Sequence, residues 1–336
     1  VVSFSPTIDF VIPTLNSGVI LESCLQSIRS QNYSQSKINI LIVDGGSTDN
    51  TLSIANKFSC QILKNPLKTA EAGKAVGLKH LKSDFVALID SDNILPTSNW
   101  LTNMLIPLQD SSIIGSEPIK YTYRPHGGFI ERYSALTGVN DPYMIVAGNF
   151  DRYSLIYNRW TNLSIPTKIF KKFLFLELNT SQLIPTIGAN GTIFRSDIFS
   201  NFSSDYFIDI DFLTTLPSPI KFAKVKVGII HTFCESSISK FIKKQTRRAT
   251  DLYIYRHLRT NFLVHNNTIP TIKFTLYVCL LIPMLWHTAI GYFRKPDPAW
   301  FFHPLACIIT LWVYSRVTIL HLFNNLHPIN RQVWKQ

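Results

Sequence analysis

Four short apolar runs, each closed by a turn or an acid, and most followed by a stretch of helical period, restrict this chain to few folds. Ile8-Asp9-Phe10-Val11-Ile12 closes on Pro13-Thr14-Leu15-Asn16, after which Leu21, Leu25 and Ile28 recur at helical spacing. The run from Ile38 to Val43 ends in Asp44-Gly45-Gly46-Ser47-Thr48-Asp49, and a helical segment continues through Ala55 and Phe58. Gln61-Ile62-Leu63 is a third, shorter strand, Ala70 to Leu81 a helix, Phe85 to Ile89 a fourth strand, and Trp100 to Leu108 another helix. Strands alternating with helices at these lengths predict an α/β domain with a mostly parallel sheet and right-handed crossovers. Continuous apolar runs are what strands buried on both faces require.

In an open α/β sheet, ligands bind just beyond the carboxyl ends of the strands. Pro13 and Thr14, Asp44, and the pair Asp90-Ser91-Asp92 should therefore share one crevice. Two carboxylates one residue apart are hard oxygen donors of the kind that hold Mg²⁺ or Mn²⁺ together with substrate phosphates. A solvated turn after a strand would use the same residues. Gly45 and Gly46 let a ligand approach the backbone closely, and Thr48 or Asp49 can cap the next helix. The dinucleotide-binding pattern Gly-x-Gly-x-x-Gly does not follow the first strand, and the P-loop pattern is missing as well. A net charge of +12 suits an anionic partner: nucleic acid, anionic lipid or a phosphorylated substrate. The five cysteines are scattered without Cys-x-x-Cys spacing, which predicts a reducing compartment and no zinc site. No basic region followed by a long apolar run stands at the N-terminus, so no signal peptide is expected.

Ile12-Pro13-Thr14-Leu15-Asn16, Val43-Asp44-Gly45-Gly46-Ser47-Thr48-Asp49-Asn50-Thr51, Glu71-Ala72-Gly73-Lys74-Ala75 and Asp90-Ser91-Asp92, in this order, resemble the donor half of a family 2 glycosyltransferase with the GT-A fold. The resemblance implies a nucleotide-sugar donor. Its site would be formed by Pro13, Thr14, Asn16, Asp44, Gly46, Lys74, Asp90 and Ser91, with Asp92 as ligand to Mn²⁺ or Mg²⁺. The family often has Glu after the Asn of the first loop, where Ser17 stands here.

Further along, Gly127 to Tyr133 starts a helix. Lys168-Ile169-Phe170-Lys171-Lys172-Phe173-Leu174-Phe175 mixes bulky apolar residues with lysines, which fits either a membrane interface or a helix packed on the sheet. The loop Gly188-Ala189-Asn190-Gly191 resembles the family's acceptor-lining loop. Phe207-Ile208-Asp209-Ile210-Asp211-Phe212 resembles its second acidic motif, which usually reads Glu-Asp-x-Asp-Leu. By position Asp209 inherits the role of catalytic base in an inverting transfer, since an acceptor hydroxyl must lose its proton. Capping of the following helix is the structural alternative. His231, after the strand Val225 to Ile230, is either a core histidine or, by the resemblance, the residue that completes the metal shell.

Between Lys240 and Arg259 lie seven basic residues against one acid, Asp251, interleaved with Phe241, Leu252, Tyr253 and Tyr255. Gln245-Thr246-Arg247-Arg248 resembles an element that processive members of the family place over the donor diphosphate, so Arg247 or Arg248 is expected to bind it. A nucleic-acid reading of this basic stretch is disfavoured by the apolar runs C-terminal to it. Phe274 to Phe293 contains no Asp, Glu, Lys or Arg and is long enough to span a bilayer, with Pro283 as a kink. After the break Arg294-Lys295-Pro296-Asp297-Pro298, a second apolar run covers Ala299 to Ser315 and resumes after Arg316. Trp286, Tyr292, Trp300 and Trp334 near the ends of these runs suit a lipid interface. Mean hydropathy is +0.12, high for a wholly soluble chain.

The expected organisation is a cytosolic glycosyltransferase domain over residues 1–235 and a basic interfacial segment over 236–270. Two transmembrane helices follow over 271–325, then a cytosolic tail over 326–336. A hairpin returns Arg331 and Lys335 to the side of the basic segment, which by the positive-inside rule is cytoplasmic. The acceptor is then a membrane-presented one, a polyprenyl phosphate or a lipid-linked saccharide. A sugar nucleotidyltransferase is the rival enzyme, but its Gly- and Arg-rich first loop is not seen at 13–18. A catalytically inactive membrane scaffold is the rival outside catalysis.

Overall fold

The computed structural model describes residues 4–188, 190–258 and 268–331. The chain forms two compact units that do not follow it linearly. The first comprises residues 1–119, 164–231 and 331–336, and the second residues 120–163 and 232–330.

The first unit is built on a mixed sheet. Strands β1 (Ile8–Thr14), β2 (Ile38–Asp44), β3 (Gln61–Lys64) and β4 (Phe85–Leu88) form its parallel half in the order β3-β2-β1-β4. Helices α1 (Gly18–Arg29), α2 (Thr51–Lys57) and α3 (Ala70–Leu78) make the crossovers, as the alternating pattern predicts. β1 is buried along its whole length, with Phe10, Val11 and Ile12 shut off from solvent and the one charge in the run, Asp9, accepting the Lys82 and Ser83 N–H groups. Helix α4 (Trp100–Leu105) follows the two-residue strand β5 (Asn93–Ile94), its Trp100 indole N–H donating to the Gly228 carbonyl at 2.8 Å.

Beyond β4 the sheet continues with β9 (Thr192–Arg195), β6 (Gly115–Tyr121), β10 (Ile220–His231), β8 (Phe173–Leu178) and β7 (Thr167–Ile169). Here β9 runs antiparallel to β4 and β6, and β8 antiparallel to β10 and β7. The parallel half is the one expected; the antiparallel half makes the sheet mixed, because β7 and β8 are joined by a tight turn that cannot carry a parallel crossover. The stretch from Lys168 to Phe175 is therefore a hairpin and not a helix. Its period is two: Leu174, Leu176 and Leu178 are buried, while Phe173, Phe175 and Glu177 alternate with them on the more open face. Helix α7 (Asp209–Leu213) lies between β9 and β10 in the chain.

The second unit is helical. It contains α5 (Phe129–Thr137), α6 (Tyr143–Ala147), α8 (Ile238–Ile254), α9 (Thr268–Cys279), α10 (Ile282–Arg294) and α11 (Phe302–Leu322). Tyr133, Phe150, Phe241, Trp300, Phe302 and Val313 are among the residues of its core. Helix α8 is amphipathic: Phe241, Gln245 and Ala249, four residues apart, are buried, and its basic residues occupy the rest of the surface.

The run 274–293, expected as one helix kinked at Pro283, is divided between two helices. Helices α9 and α10 meet at Leu280–Leu281 with a bend of 80°. Pro283 has no N–H and its ring clashes with the preceding turn, so it is placed in the first turn of a new helix, and Leu281 takes up the break at φ +60°. The run that continues without a break is the second one. Residues Pro298–Leu322 form a helix long and apolar enough to cross a membrane. Trp300, expected at an interface, is fully buried, stacked so closely on Gly291 that a Cβ there would lie 2.5 Å from the indole ring. Trp286 and Tyr292 are exposed; Arg259, Trp334 and Lys335 lie outside the described residues.

Candidate active site

The carboxyl ends of β1, β2 and β4 meet as the α/β topology requires, and the loops after them are laced together by side chains. Thr14 Oγ1 donates to Asp44 Oδ1 at 3.0 Å, while Asp44 Oδ2 accepts the Gly46 and Ser47 N–H groups, each at 2.8 Å. The Asp44 carboxylate therefore shapes its own turn, and Gly46 adopts φ +94° within it. Asn16, at φ +52°, accepts the Thr48 N–H at 2.9 Å through Oδ1 and donates its own N–H to Ser47 Oγ at 2.8 Å. Asp49 joins the same seam by accepting the Gly18 N–H at 3.1 Å and the Thr51 N–H at 3.0 Å. Burial works against the Asp49 charge, but the bonds from Thr51 and Gly18 outweigh it and hold the carboxyl below its usual range. Ser17, where the resemblance leads one to expect Glu, is buried; the Ser91 hydroxyl donates to its Oγ at 3.3 Å. The first loop is thus tied to the Asp-x-Asp turn.

Asp90 and Asp92 follow β4 with different partners. The Asp90 N–H donates to Asn93 Oδ1 at 3.1 Å, closing the turn. Asp92 Oδ1 lies 3.3 Å from His231 Nε2, and both residues are 8% exposed. The pairing of β5 with β10, which sets Asn93 opposite His231, brings the imidazole to that carboxylate. A carboxylate oxygen and an imidazole nitrogen this close are two donors that suit a divalent cation of the Mn²⁺ or Mg²⁺ kind; among the described residues no group of three or more His, Cys, Asp or Glu is assembled, so further ligands would have to come from elsewhere, such as phosphate oxygens. Burial and the neighbouring Asp92 push the Asp90 carboxyl up, against the pull of Lys74 and His231.

Lys74 is buried on α3, and its Nζ stands 3.7 Å from Asp209 Oδ2. Asp209 is the first residue of α7 and is itself buried, yet among the described residues its Oδ1 has no hydrogen-bond partner. It does not cap the helix: the N-cap is Ile208, and no side-chain capping bond forms. Burial raises the Asp209 carboxyl above its usual range, Lys74 opposing and Asp90 and Glu71 reinforcing the rise. A buried carboxylate oxygen with nothing to accept from is costly unless a ligand supplies the donor.

The loop carrying Gly188, Asn190 and Gly191 runs beside these groups; Ala189 lies outside the described residues. Asn93 Nδ2 donates to Asn190 Oδ1 at 3.1 Å, and the Gly191 N–H to the Leu88 carbonyl at 3.0 Å. Gly191 adopts φ +84°, and a Cβ there would come within 2.6 Å of Ile229. The loop is anchored from below by Glu117, whose Oε1 accepts the Gly188 N–H and the Thr192 hydroxyl, each at 3.2 Å. Its other oxygen takes Lys224 in an ion pair with both side chains fully buried. Sequence reasoning missed this pair, because Lys224 alternates with Lys226 and reads as part of a solvated face.

Arg247 and Arg248 lie on α8 of the second unit. Arg248 donates to Gln245 Oε1 at 2.6 Å, and its guanidinium is 3.7 Å from the Asp141 carboxylate, which also accepts the Tyr314 hydroxyl. Within its own unit the Gln-x-x-Arg spacing thus forms one turn of helix with the two side chains joined.

Residues 9–202 match the family described as Glycosyl transferase family 2. Among curated relatives, Glycosyltransferase AglE of Haloferax volcanii is 27% identical over 142 residues, covering 40% of this chain and 46% of that protein. Glycosyltransferase GlyG of Streptococcus pneumoniae is 34% identical over 97 residues, 27% of this chain and 32% of that one. The chain thus spans less than half the length of either. A mannosyltransferase from Pyrobaculum calidifontis, solved in complex with GDP-Man and Mn²⁺, superposes with a TM-score of 0.52 at 14% identity, covering 96% of this chain and 88% of that one. The likeness extends to the mixed sheet flanked by helices, so the expected GT-A architecture is the one found. With more than half of its residues matched and its acids converging on one sheet edge, the chain belongs to glycosyl transferase family 2.

Proposed function

We propose that this protein is an inverting, metal-dependent glycosyltransferase that moves a sugar from a nucleotide-diphosphate sugar, UDP- or GDP-linked, to an acceptor presented at a membrane. The observation that carries the reading is Asp209: a buried carboxylate with one oxygen unpartnered and the other held by Lys74. Asp209 takes the proton of the acceptor hydroxyl as that oxygen attacks the anomeric carbon from the face opposite the leaving nucleoside diphosphate. Lys74 keeps the carboxylate ionised and oriented. Pro13, Thr14, Asn16, Asp44, Gly46, Asp90 and Ser91 form the donor cradle, Asp44 and Asp90 taking the nucleoside; a diphosphate role for Arg247 or Arg248 rests on the sequence resemblance alone. Gly188, Ala189, Asn190 and Gly191 line the acceptor. Asp92 and His231 would hold a divalent cation, which when bound supplies positive charge to the leaving diphosphate. The Pyrobaculum relative's complex with GDP-Man and Mn²⁺ supports the donor class and the metal.

The membrane part of the reading rests on α11, which leaves Trp312, Ile319 and Leu322 more than half exposed along its length. A transmembrane hairpin is completed when the bent pair α9 and α10 enters the bilayer as one broken span. The basic segment 236–270 then lies at the headgroups, and the positive-inside rule puts the catalytic domain, residues 1–235, and the tail 326–336 on the cytoplasmic face. A polyprenyl phosphate or a lipid-linked saccharide is the acceptor such an arrangement meets.

Thermal shift of the detergent-solubilised protein with UDP, GDP and dTDP, each with and without Mn²⁺, tests the donor site. One nucleotide should stabilise the protein in a manner that requires both Mn²⁺ and Asp92, and Asp92→Ala should abolish the shift. No shift with any of the three in a folded protein would remove the donor site and leave the membrane scaffold as the better reading.

A further inference from the structure

The β7–β8 hairpin ends in Phe170-Lys171-Lys172-Phe173, and its tip is built in an unusual way for an edge of a sheet. Ile169 is 77% exposed and Phe170 47% exposed, while Lys168, Lys171, Lys172 and the neighbouring Lys226 all face solvent. None of the four lysines is in an ion pair among the described residues. The one carboxylate of the hairpin, Glu177, is at the far end, paired in register with Lys221. The tip is held in shape: the Phe170 and Phe173 rings stack at 4.7 Å, the Phe170 N–H donates to the Phe173 carbonyl at 2.9 Å, and Lys226 Nζ donates to the Phe170 carbonyl at 2.7 Å. The order of a bound state is therefore already present.

Lysine on an edge strand also serves to prevent strand-to-strand aggregation. That role explains Lys168 but not an aliphatic and an aromatic side chain pushed into water beside three further cations. Apolar side chains ringed by lysines that are in no ion pair among the described residues match a surface that is anionic at its face and apolar just beneath, which is the interface of a bilayer containing acidic lipids. We propose that the hairpin tip is a docking surface for anionic lipid, with Phe170 and Ile169 entering the acyl boundary and Lys168, Lys171, Lys172 and Lys226 among the headgroups. The proposal rests on the reading that the chain works at a membrane, and adds a second contact on the sheet unit itself.

The test uses the full chain in lipid nanodiscs, with p-benzoylphenylalanine replacing Phe170 in one preparation and Trp312 of α11 in another, irradiated and assayed for lipid adducts. Adducts at 170 are expected in discs containing phosphatidylglycerol and should fall at least fivefold in phosphatidylcholine alone. Each lysine near an anionic surface strengthens contact by a factor of roughly five, so Lys168→Glu/Lys171→Glu/Lys172→Glu should abolish adducts at 170 and leave those at 312. Adducts at 312 without adducts at 170 would overturn the docking surface while leaving the membrane anchor intact. Adducts at neither position would overturn both. Crosslinking of position 170 to a polypeptide in place of lipid would assign the tip to a protein interface and overturn the proposal.

Discussion

Asp209 has two oxygens in different circumstances, and the difference predicts what its replacement does. Oδ2 is held by Lys74 and Oδ1 has no partner among the described residues, so Asp209→Asn keeps the volume and removes the capacity to take a proton. With a hydroxyl acceptor the rate should fall about 10²- to 10⁴-fold, while the nucleotide-dependent thermal shift is unchanged. With a phosphate acceptor, already anionic, the loss should be small, so the ratio of wild-type to variant turnover identifies the acceptor class. The wild-type profile should also lose activity as pH falls through a value above the ordinary carboxylate range, because burial raises the Asp209 carboxyl and the base works only when ionised. Asp90, Asp92 and Asp209 stood out in the sequence only through the family motifs they resemble, because an acid after a strand or in the first turn of a helix is by itself ordinary turn and helix-start chemistry. Ser17 was legible only as a departure; its bond with Ser91 depends on two loops meeting that are remote in sequence. His231 tests the metal assignment from the other side: His231→Ala should abolish the Mn²⁺-dependent part of the nucleotide shift as Asp92→Ala does, whereas a core histidine would lower the melting temperature and leave that dependence in place.

Among the elements, the loop at 188–191, proposed to line the acceptor, is anchored by a buried charge pair. Lys224→Met leaves the Glu117 carboxylate buried without its cation, a change that costs about 3–5 kcal/mol and should appear as a clear drop in melting temperature. Adding Glu117→Gln removes the stranded charge while its amide oxygen still accepts the Gly188 N–H and the Thr192 hydroxyl. The double variant should therefore regain most of the loss, and a double variant as unstable as Lys224→Met alone would show that the ion pair itself is needed. The parallel half of the sheet was legible because β1, β2 and β4 are continuous apolar runs separated by helical periods. The antiparallel half was less so: β7 is three residues long, and the alternation in β8 is masked by phenylalanines on its half-open face. The break at Leu280–Leu281 has a visible cause in Pro283, but the sequence alone could not distinguish a kink that continues the helix from one that starts another at 80°.

For the molecule as a whole, the question is whether its apolar helices cross a bilayer, and on which side the sheet unit then works. Within the second unit a soluble interpretation of α11 requires its apolar surface to be covered. Phe301, Trp312, Ile319 and Leu322 are each more than half exposed, and on α9 and α10 so are Leu276, Ile282, Trp286 and Phe293. Apolar exposure on this scale, on successive helices, is beyond what scattered surface residues account for. The protein should therefore remain in the membrane pellet after an alkaline carbonate wash and be released by detergent, and release by carbonate alone would remove the anchor. Sidedness follows from charge. Lys240, Lys243, Lys244, Arg247, Arg248 and Arg256 lie on or just after α8, against Arg294 and Lys295 in the break between the apolar runs. The larger group should stay in the cytoplasm. A cysteine introduced at Lys57, whose side chain is 67% exposed on the sheet unit, reads this out. In intact cells the Lys57→Cys protein should be protected from a membrane-impermeant maleimide and react fully once the membrane is opened. Equal labelling before and after opening would put the sheet unit on the outer face, where the cytosolic pool of nucleotide sugars does not reach, and a donor drawn from that pool would then be excluded.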